Sequence, residues 1–140
     1  MRIFRTKWLA RFARQQRIED RSLAEAIARA SRGLVDADLG GGVIKQRVAR
    51  PGQGRSGGHR LRIAYRAGER AVFLYGFAKN ERDNIDPDEL LTLREIGAGW
   101  LAATPREIDR ALADDVLQEV TNGGDETAWP TDQGVAGDGG

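Results

Sequence analysis

The stretch VIKQRVAR-PGQGRSGG-HRLRIAYR-AGER-AVFLYGFA, residues 43–78, contains three segments of strand character joined by glycine-rich turns. Successive side chains of a strand point to opposite faces of its sheet. In the first segment, Ile44, Gln46 and Val48 therefore share one face, while Lys45 and Arg47 share the other. This alternation predicts a strand with one apolar face and one cationic face.

The second and third segments extend the pattern. In the second, the apolar and cationic sets alternate, as Leu61, Ile63 and Tyr65 against Arg60, Arg62 and Arg66. The third, Ala71–Ala78, is apolar on both faces, which predicts a central strand that is covered on both sides. If the strands pair in chain order, one surface collects Lys45, Arg47, Arg60 and Arg62, which we call the cationic face, with Lys79 and Arg82 at its rim. Such a surface suits a polyanion.

Composition excludes several kinds of site. The 140 residues are the size of one domain, and they include no Cys and a single His. Disulfides, thiolate zinc sites, thiol nucleophiles and His-cluster metal sites are therefore not expected, and we expect no cofactor. No apolar run approaches the ~20 residues of a membrane span. The first residues, MRIFRTKW, lack the apolar core of a signal peptide, so we expect a cytoplasmic protein without membrane partners.

The charge is divided between the two parts of the chain. Residues 1–82 hold 19 Lys and Arg against 7 Asp and Glu, whereas residues 83–140 hold 3 against 14. A strongly basic half favours nucleic-acid binding. The alternative is that the acidic half simply neutralises the basic half, within one chain or in a dimer.

Two helices are predicted before the three strands. The first is Lys7–Gln16, and the second starts at Asp20 or at the capping box of Ser22, runs to about Arg32 and stops at Gly33. We expect an α+β domain in which both helices pack on the apolar face of a small, mainly antiparallel sheet and leave the cationic face open. The arginines of these helices are expected on solvated surfaces: Arg11, Arg14, Arg17, Arg21, Arg29 and Arg32.

Two further helices are predicted after the strands. Asp86-Pro87-Asp88-Glu89 and Thr104-Pro105-Arg106-Glu107 both place a capping residue, a proline and a glutamate at the spacing of a helix start. We expect the first helix to weaken near Gly97 and Gly99, and the second to run to residue 121. The predicted organisation is a domain over residues 1–103, an additional helix over 104–121 and a disordered Gly- and Asp-rich tail over 122–140.

The strings KQRVARPGQGRSGGHRLRIAYR and FLYGFAKNERDNI resemble the RelE/HigB-type toxins of bacterial type II toxin–antitoxin systems. The resemblance implies a RelE-like microbial RNase fold and a ribosome-dependent mRNA endoribonuclease that inhibits translation. It further implies a helix-turn-helix antitoxin as partner, besides the ribosome and mRNA. The residues that match the catalytic pattern of the family are Lys45, Arg47, Arg60, Lys79 and Arg82. Arg50, Arg55, Arg62 and His59 are expected to contact the RNA.

The chain departs from the family pattern at two positions. Asn80 stands where well-studied members have an arginine, and Ile85-Asp86 stands where they have a tyrosine. A guanidinium and a phenol of that pattern are therefore absent at those positions. These departures leave room for two alternatives, a non-enzymatic toxin of related fold that inhibits DNA gyrase and a plain RNA-binding module.

Metal-free RNA cleavage requires a base for the 2′-hydroxyl, stabilisation of the phosphorane charge and a proton for the leaving 5′-oxygen. Lys45 can act as the base if neighbouring cations lower its pKa, and Arg47 and Arg60 suit bidentate binding of the phosphate. His59 and Glu81 are possible proton carriers, although a structural role is the alternative for each. Tyr75 and Phe77 either stack on a base or pack in the core.

Deletion of residues 124–140 should leave the melting temperature unchanged. The segment is rich in Gly and Asp and holds few apolar side chains, so it buries too little to offset the entropy of ordering. Thermal unfolding of the truncated and full-length chains measures this. A drop of more than a few degrees in the truncated chain would show that the tail docks on the domain.

Overall fold

The computed structural model describes residues 1–49, 58–78 and 85–121. Within these ranges the protein is an α+β domain, as the sequence predicted, with four helices and one six-stranded sheet. The elements in chain order are β1 (Arg2–Thr6), α1 (Lys7–Gln16), α2 (Asp20–Ser31), β2 (Ala37–Gly40), β3 (Val43–Val48), β4 (His59–Arg66), β5 (Arg70–Ala78), α3 (Pro87–Ala102), α4 (Pro105–Ala113) and β6 (Leu117–Glu119). None of the helices in these ranges is long and apolar enough to cross a bilayer.

The sheet has the strand order β2-β3-β4-β5-β1-β6. Strands β3, β4 and β5 pair in chain order and antiparallel, as expected from the alternation. The first strand of the chain is inserted between β5 and β6, parallel to β5 and antiparallel to β6. The sheet is therefore mixed, with one parallel pair among mainly antiparallel ones.

One side of the sheet shares a core with the two N-terminal helices. Leu9 and Phe12 of α1 and Leu23 and Ile27 of α2 form one cluster of buried residues with side chains of the sheet, namely Ile44, Val48, Leu61, Ile63, Ala71 and Phe73. The fully buried Gln46 belongs to the same side, and its amide donates to the carbonyls of Ala26 and Leu34 at 2.9 and 3.1 Å. A polar residue in the apolar stripe is thus tolerated because its hydrogen bonds are made.

The opposite side of the sheet carries a second core. Val43, Ala64, Val72 and Leu74 form a buried cluster with residues of α3, α4 and β6: Leu101, Ile108, Ala111 and Leu117. The expectation that this side stays open is therefore wrong for half of it. The reason is β5, the last of the three strands predicted from the sequence. It is apolar on both faces and must be covered on both.

Helix α3 runs through both of its glycines. The backbone N–H of Asp86 donates to Glu89 Oε1 at 2.9 Å, so the predicted start is confirmed. A Cβ on Gly97 would lie 3.1 Å from the Cβ of Ala64 in the sheet. Gly97 is thus a point of close approach between helix and sheet rather than a break in the helix.

The predicted helix over residues 104–121 is shorter than expected. Its start is confirmed, since Thr104 and Glu107 exchange hydrogen bonds of 2.8 and 3.1 Å. The helix ends at Ala113, because Asp115 adopts a left-handed conformation with φ of 59°. The chain then returns as β6, whose register pairs Phe4 of β1 with Glu119. Beyond it, the predicted disordered tail over residues 122–140 lies outside the described residues.

Arg29 of α2 is buried, which corrects the expectation that it is solvated. Only 5% of the residue is exposed. Its guanidinium donates to the backbone carbonyl of Arg47 and to Glu25, and its Nη1 lies 3.7 Å from Asp36 Oδ2. It therefore ties α2 to β3 and to the segment before β2.

We expect Arg29→Ala to lower the free energy of unfolding by about 2 kcal/mol or more, because it removes the donor to the Arg47 carbonyl and the ion pairs with Glu25 and Asp36. Arg21→Ala on the same helix is the matched control. Its ion pair with Glu19 is exposed, with side-chain exposures of 77% and 72%, so the change should stay within about 0.5 kcal/mol. Urea unfolding of both variants measures the difference. Equal stabilities would show that the contacts of Arg29 with β3 and Asp36 do not stabilise the fold.

Candidate nucleic-acid interface

The cationic face forms where β3 pairs with β4. The register places Lys45 opposite Arg62 and Arg47 opposite Arg60, so four cationic side chains project from neighbouring positions on the same side of the sheet. Directly opposed residues of antiparallel strands have Cβ atoms roughly 4.5–5.5 Å apart, and like charges so placed destabilise the pair. Two such pairs in succession make a site that an anion would stabilise.

Two of the four cations are buried, which corrects the expectation of a fully open cationic face. Arg62 is 2% exposed and Arg60 is 8% exposed. The cause lies in the next strand, where Phe77 pairs with Arg60, and the Arg62 guanidinium carbon lies 4.8 Å from the centroid of the Phe77 ring. A planar guanidinium packs favourably over an aromatic face, so β5 shields both arginines without removing their charge.

Lys45 lies half-buried among these arginines. Burial is the main cause that lowers the pKa of its ammonium, and the charges of Arg62, Arg60 and Arg47 lower it further. Asp36 opposes this effect. The direction is the one that the sequence predicted, although burial exceeds the charge repulsion as a cause. A larger fraction of the Lys45 side chain is therefore neutral than for an ordinary lysine.

Arg47 has a carboxylate partner that the sequence did not indicate. Its backbone N–H donates to Asp36 Oδ2 at 2.7 Å, and its Nη2 lies 3.5 Å from Asp36 Oδ1. Burial raises the pKa of Asp36, but the backbone hydrogen bond from Arg47 and the charges of Arg47 and Arg29 outweigh it and lower that pKa. Asp36 therefore stays ionised and orients Arg47, whose side chain is 42% exposed.

Unlike Arg47, Arg60 has no carboxylate partner in the described part of the chain. Its Nη1 is buried and has no hydrogen-bond partner among the described residues. A buried donor without an acceptor is costly, and such groups occur where a ligand or a catalytic step supplies the acceptor. The Arg60 guanidinium is accordingly the best candidate on this face for binding an anion.

His59 lies on the other side of the sheet from the cationic face. Its ring is fully buried, its Nε2 is 3.1 Å from Gln16 Oε1, and it makes an edge contact with Phe12 at 5.6 Å between ring centroids. This placement favours the structural alternative for His59. The remaining expected site residues, Arg50, Arg55, Lys79 and Arg82, lie outside the described residues, as does Glu81.

A set of aromatic rings borders the cationic face. Tyr75 pairs with Arg62 in the register, and its ring centroid lies 6.2 Å from Phe77 and 4.5 Å from Trp8. Trp8, at the start of α1, is 41% exposed and stacks on Phe12. The sequence indicated Tyr75 and Phe77 as possible stacking residues. It did not indicate Trp8, because the contact between Trp8 and Tyr75 joins residues far apart in the chain.

Paired basic strands beside an exposed aromatic ring are typical of a small nucleic-acid-binding domain. Residues 1–120 match the model of a protein family described as the RelE toxin of the RelE/RelB toxin–antitoxin system. Since the match covers most of the chain, the protein belongs to the RelE toxin family. Comparison with the curated proteins and with the solved structures found no match.

We expect Lys45→Met to stabilise the protein at neutral pH, because it removes one of four crowded charges. The expected pH dependence follows from the difference in proton binding between the folded and unfolded states. Because the pKa of Lys45 is below its ordinary 10.5 in the folded state, the unfolded chain binds more protons between the two pKa values, and wild-type stability rises with pH there. The advantage of Lys45→Met should therefore shrink as the pH approaches 10.5.

Lys45→Arg is the control for this prediction, since its guanidinium stays charged throughout that range. Lys45→Arg should show neither the higher stability at neutral pH nor the loss of that advantage at high pH. Urea unfolding at a series of pH values measures all three proteins. A gap between wild type and Lys45→Met that stays constant with pH would show that Lys45 titrates as an ordinary lysine.

Proposed function

We propose that this RelE-family protein is the toxin of a type II toxin–antitoxin system and cleaves mRNA on the ribosome without a metal, through attack of the 2′-hydroxyl on the adjacent phosphate. The observation that carries the proposal is the pairing of Lys45 with Arg62 and of Arg47 with Arg60 across two strands. Family membership of residues 1–120 supports the toxin assignment.

Lys45 is proposed as the general base. An amine removes a proton only in its neutral form, and the lowered pKa of Lys45 increases that form near neutral pH. In the first step the 2′-hydroxyl gives its proton to Lys45 Nζ while its oxygen bonds to phosphorus. The ammonium that results is then close to the negative charge that develops on the phosphorane.

Arg47 and Arg60 are proposed to stabilise that charge. Arg47 is held by Asp36 in a fixed direction, and Arg60 brings a guanidinium whose Nη1 lacks an acceptor among the described residues. Fixed donors of this kind need little reorganisation during the reaction. Arg62 packs over Phe77 and contributes mainly through its charge, which lowers the pKa of Lys45.

The bond from phosphorus to the 5′-oxygen breaks in the second step, which leaves a 2′,3′-cyclic phosphate and a 5′-hydroxyl. Lys79 and Arg82 are proposed to supply the proton and further charge stabilisation at this oxygen, because they follow β5 directly in the chain. Arg50 and Arg55 are proposed to contact the RNA backbone. His59 is left out of this set because it is buried on the other side of the sheet.

The partner is proposed to be a helix-turn-helix antitoxin that covers the cationic face. The family description names a toxin–antitoxin pair, which supports an antitoxin of some kind. A surface of four crowded cations would bind cellular RNA without selection if left uncovered. A partner that brings carboxylates to this face would both neutralise it and exclude mRNA, and such a complex would act in the cytoplasm.

We expect Arg60→Met to reduce mRNA cleavage on purified ribosomes by about 100-fold or more, because it removes a fixed donor to the phosphorane at similar side-chain volume. Arg60→Lys should also lose most activity, since an ammonium cannot bind two phosphate oxygens in the geometry of a guanidinium. Arg11→Ala, at an exposed position of α1, is the control and should cleave as the wild type does. Primer extension to the new 5′ ends measures cleavage.

Melting temperatures measured in parallel separate loss of the site from loss of the fold. Cleavage by folded Arg60→Met at the wild-type rate would remove Arg60 from the active site. Absence of cleavage by the wild-type chain, at concentrations at which it binds ribosomes, would overturn the proposed activity.

A further inference from the structure

Trp8 of α1 is a large aromatic residue that the fold leaves exposed. The helix buries its other two large apolar residues, with Leu9 at 0% and Phe12 at 8% exposure, whereas Trp8 is 41% exposed. The backbone that carries the ring is fixed, because Thr6 Oγ1 accepts a hydrogen bond from the Leu9 N–H at 3.2 Å and thereby caps the helix. The indole is therefore exposed on a rigid element, where it can contact a ligand without a change of fold.

Two other rings hold the indole in one orientation. Phe12, one helical turn further on, stacks on it with 5.4 Å between centroids and 16° between planes. Tyr75 of β5 lies at 4.5 Å with an angle of 35°. A side chain that is already held loses little rotamer freedom when a ligand binds. The exposed part of the Trp8 ring is thus prepared for a flat aromatic partner, which binds by offset stacking or edge contact.

The position of Trp8 follows from where β1 ends. Thr6, the last residue of β1, donates to the carbonyl of Leu74 at 3.2 Å, and the chain then continues as α1. Strand β5 runs on to Ala78, so Trp8 takes the place beside Tyr75 that a longer β1 would occupy.

The register of the sheet connects Trp8 to the cationic face. Lys45 of β3 is opposite Arg62 of β4, and Arg62 is opposite Tyr75 of β5, so these three residues form a row across the sheet. Neighbouring strands lie ~4.8 Å apart, which places the backbone of Tyr75 about 10 Å from that of Lys45. Trp8 extends the row by one more ring. A single strand of RNA whose phosphate binds at Lys45 and Arg60 can therefore carry a nearby base to Trp8.

We propose that Trp8 binds a nucleobase of the mRNA by stacking and so fixes the RNA along the cationic face. Cationic side chains attract any phosphate of the chain, whereas a stacked base adds a second point of attachment that holds one nucleotide in place. Every base has an aromatic face, so we expect this site to accept all four bases. RNA is favoured over a protein partner because the exposed ring continues a row that begins with paired cations. The proposal rests on the proposed RNA cleavage for its placement near the cut.

Trp8→Leu is the decisive variant. Leucine is a good helix former and keeps an apolar side chain against Phe12 and Tyr75, but it has no ring for a base to stack on. We expect it to weaken binding of a short 2′-O-methyl oligonucleotide by about fivefold or more, the lower end of the range for one base stacked on an aromatic ring. Trp8→Phe keeps a ring and should lose less. Ile96→Ala on α3 removes an apolar side chain from a residue of similar exposure, 44%, and is the matched control that should bind as the wild type does.

Oligonucleotides in which one base at a time is replaced by an abasic sugar locate the contact. The 2′-O-methyl group blocks the attacking hydroxyl, so these probes report binding alone, which fluorescence anisotropy measures. In the wild type, one abasic position should weaken binding by about fivefold or more, whereas the same abasic position should weaken binding to Trp8→Leu no further. Loss of the fold would instead weaken binding of every oligonucleotide alike, and melting temperatures measured in parallel detect it.

The salt dependence of binding separates stacking from charge. Arg60→Met should flatten the fall of affinity with rising salt, because it removes one phosphate contact. Trp8→Leu should lower the affinity by the same factor at every salt concentration. A loss in Trp8→Leu that vanishes at high salt would overturn the stacking role.

Two outcomes separate the stacking site from the activity. If folded Trp8→Leu binds every oligonucleotide as the wild type does, the stacking site is overturned, as expected if the ring contacts a protein partner, and the proposed function stands. Position-specific weakening in Trp8→Leu, without any cleavage of mRNA by the wild type on ribosomes, would support the stacking site and overturn the proposed reaction.

Discussion

The structure depends on holding two pairs of like charges opposite each other in adjacent strands. At an effective dielectric constant of 20, two unit charges 4 Å apart repel by about 4 kcal/mol. The alternate side chains of the same strands offset this, since Ile44, Leu61 and Ile63 are buried against α1 and α2. Each contributes about 1.5–3 kcal/mol on burial. Strand pairing is thus stabilised from the apolar side and strained from the cationic side.

The surroundings of the four cations reduce this repulsion in different ways. These differences give the four side chains different chemical properties. Arg62 is shielded by the ring of Phe77, Arg47 is paired with Asp36, and the pKa of Lys45 is lowered, so that it releases its proton more readily than an ordinary lysine. Arg60 has a buried Nη1 without an acceptor and is bound to no carboxylate in the described part of the chain. The same arrangement that strains the sheet therefore places an amine of lowered pKa beside a guanidinium nitrogen that lacks an acceptor among the described residues.

Local patterns in the sequence predicted the faces of the strands and the starts of the helices. Alternation along β3 and β4 assigned the cationic and apolar faces, and two capping boxes located the first turns of α3 and α4. These features depend on residues within a few positions of one another. The family resemblance, confirmed over residues 1–120, added the toxin assignment.

Contacts between distant segments were not predictable in this way. The insertion of β1 between β5 and β6 joins the two ends of the domain, and the pairing of Arg47 with Asp36 depends on how β2 is aligned with β3. The burial of Arg29 follows from the same alignment, because its partners are the Arg47 carbonyl and Asp36. In α4, the i+4 spacing of apolar residues suggested a longer helix, whereas the left-handed turn at Asp115 ends it and allows β6 to form.

Helix α3 borders the cationic face, and the two ends of this helix are attached to the sheet in different ways. Its C-terminal part is held to the sheet by arginines that bind backbone carbonyls: Arg70 donates to Trp100 and Ala103, both at 2.8 Å, and Arg66 donates to Leu101 at 3.2 Å. Midway along the helix, Arg94 donates to the carbonyl of Leu39 in β2.

The first turns of α3 are attached differently. Gly97 allows the helix to approach Ala64 closely. Nearer the start of the helix, Glu89, Thr92 and Leu93 line a cleft of about 210 Å³ together with Tyr75 of β5. The helix therefore covers the apolar part of this side of the sheet. A bulge in the pairing of β4 with β5, between Arg62 and Ile63, brings Tyr75 to this point. Bulges re-aim side chains in this manner, and this one sets the ring of Tyr75 between Trp8 and the residues of α3 that line the cleft.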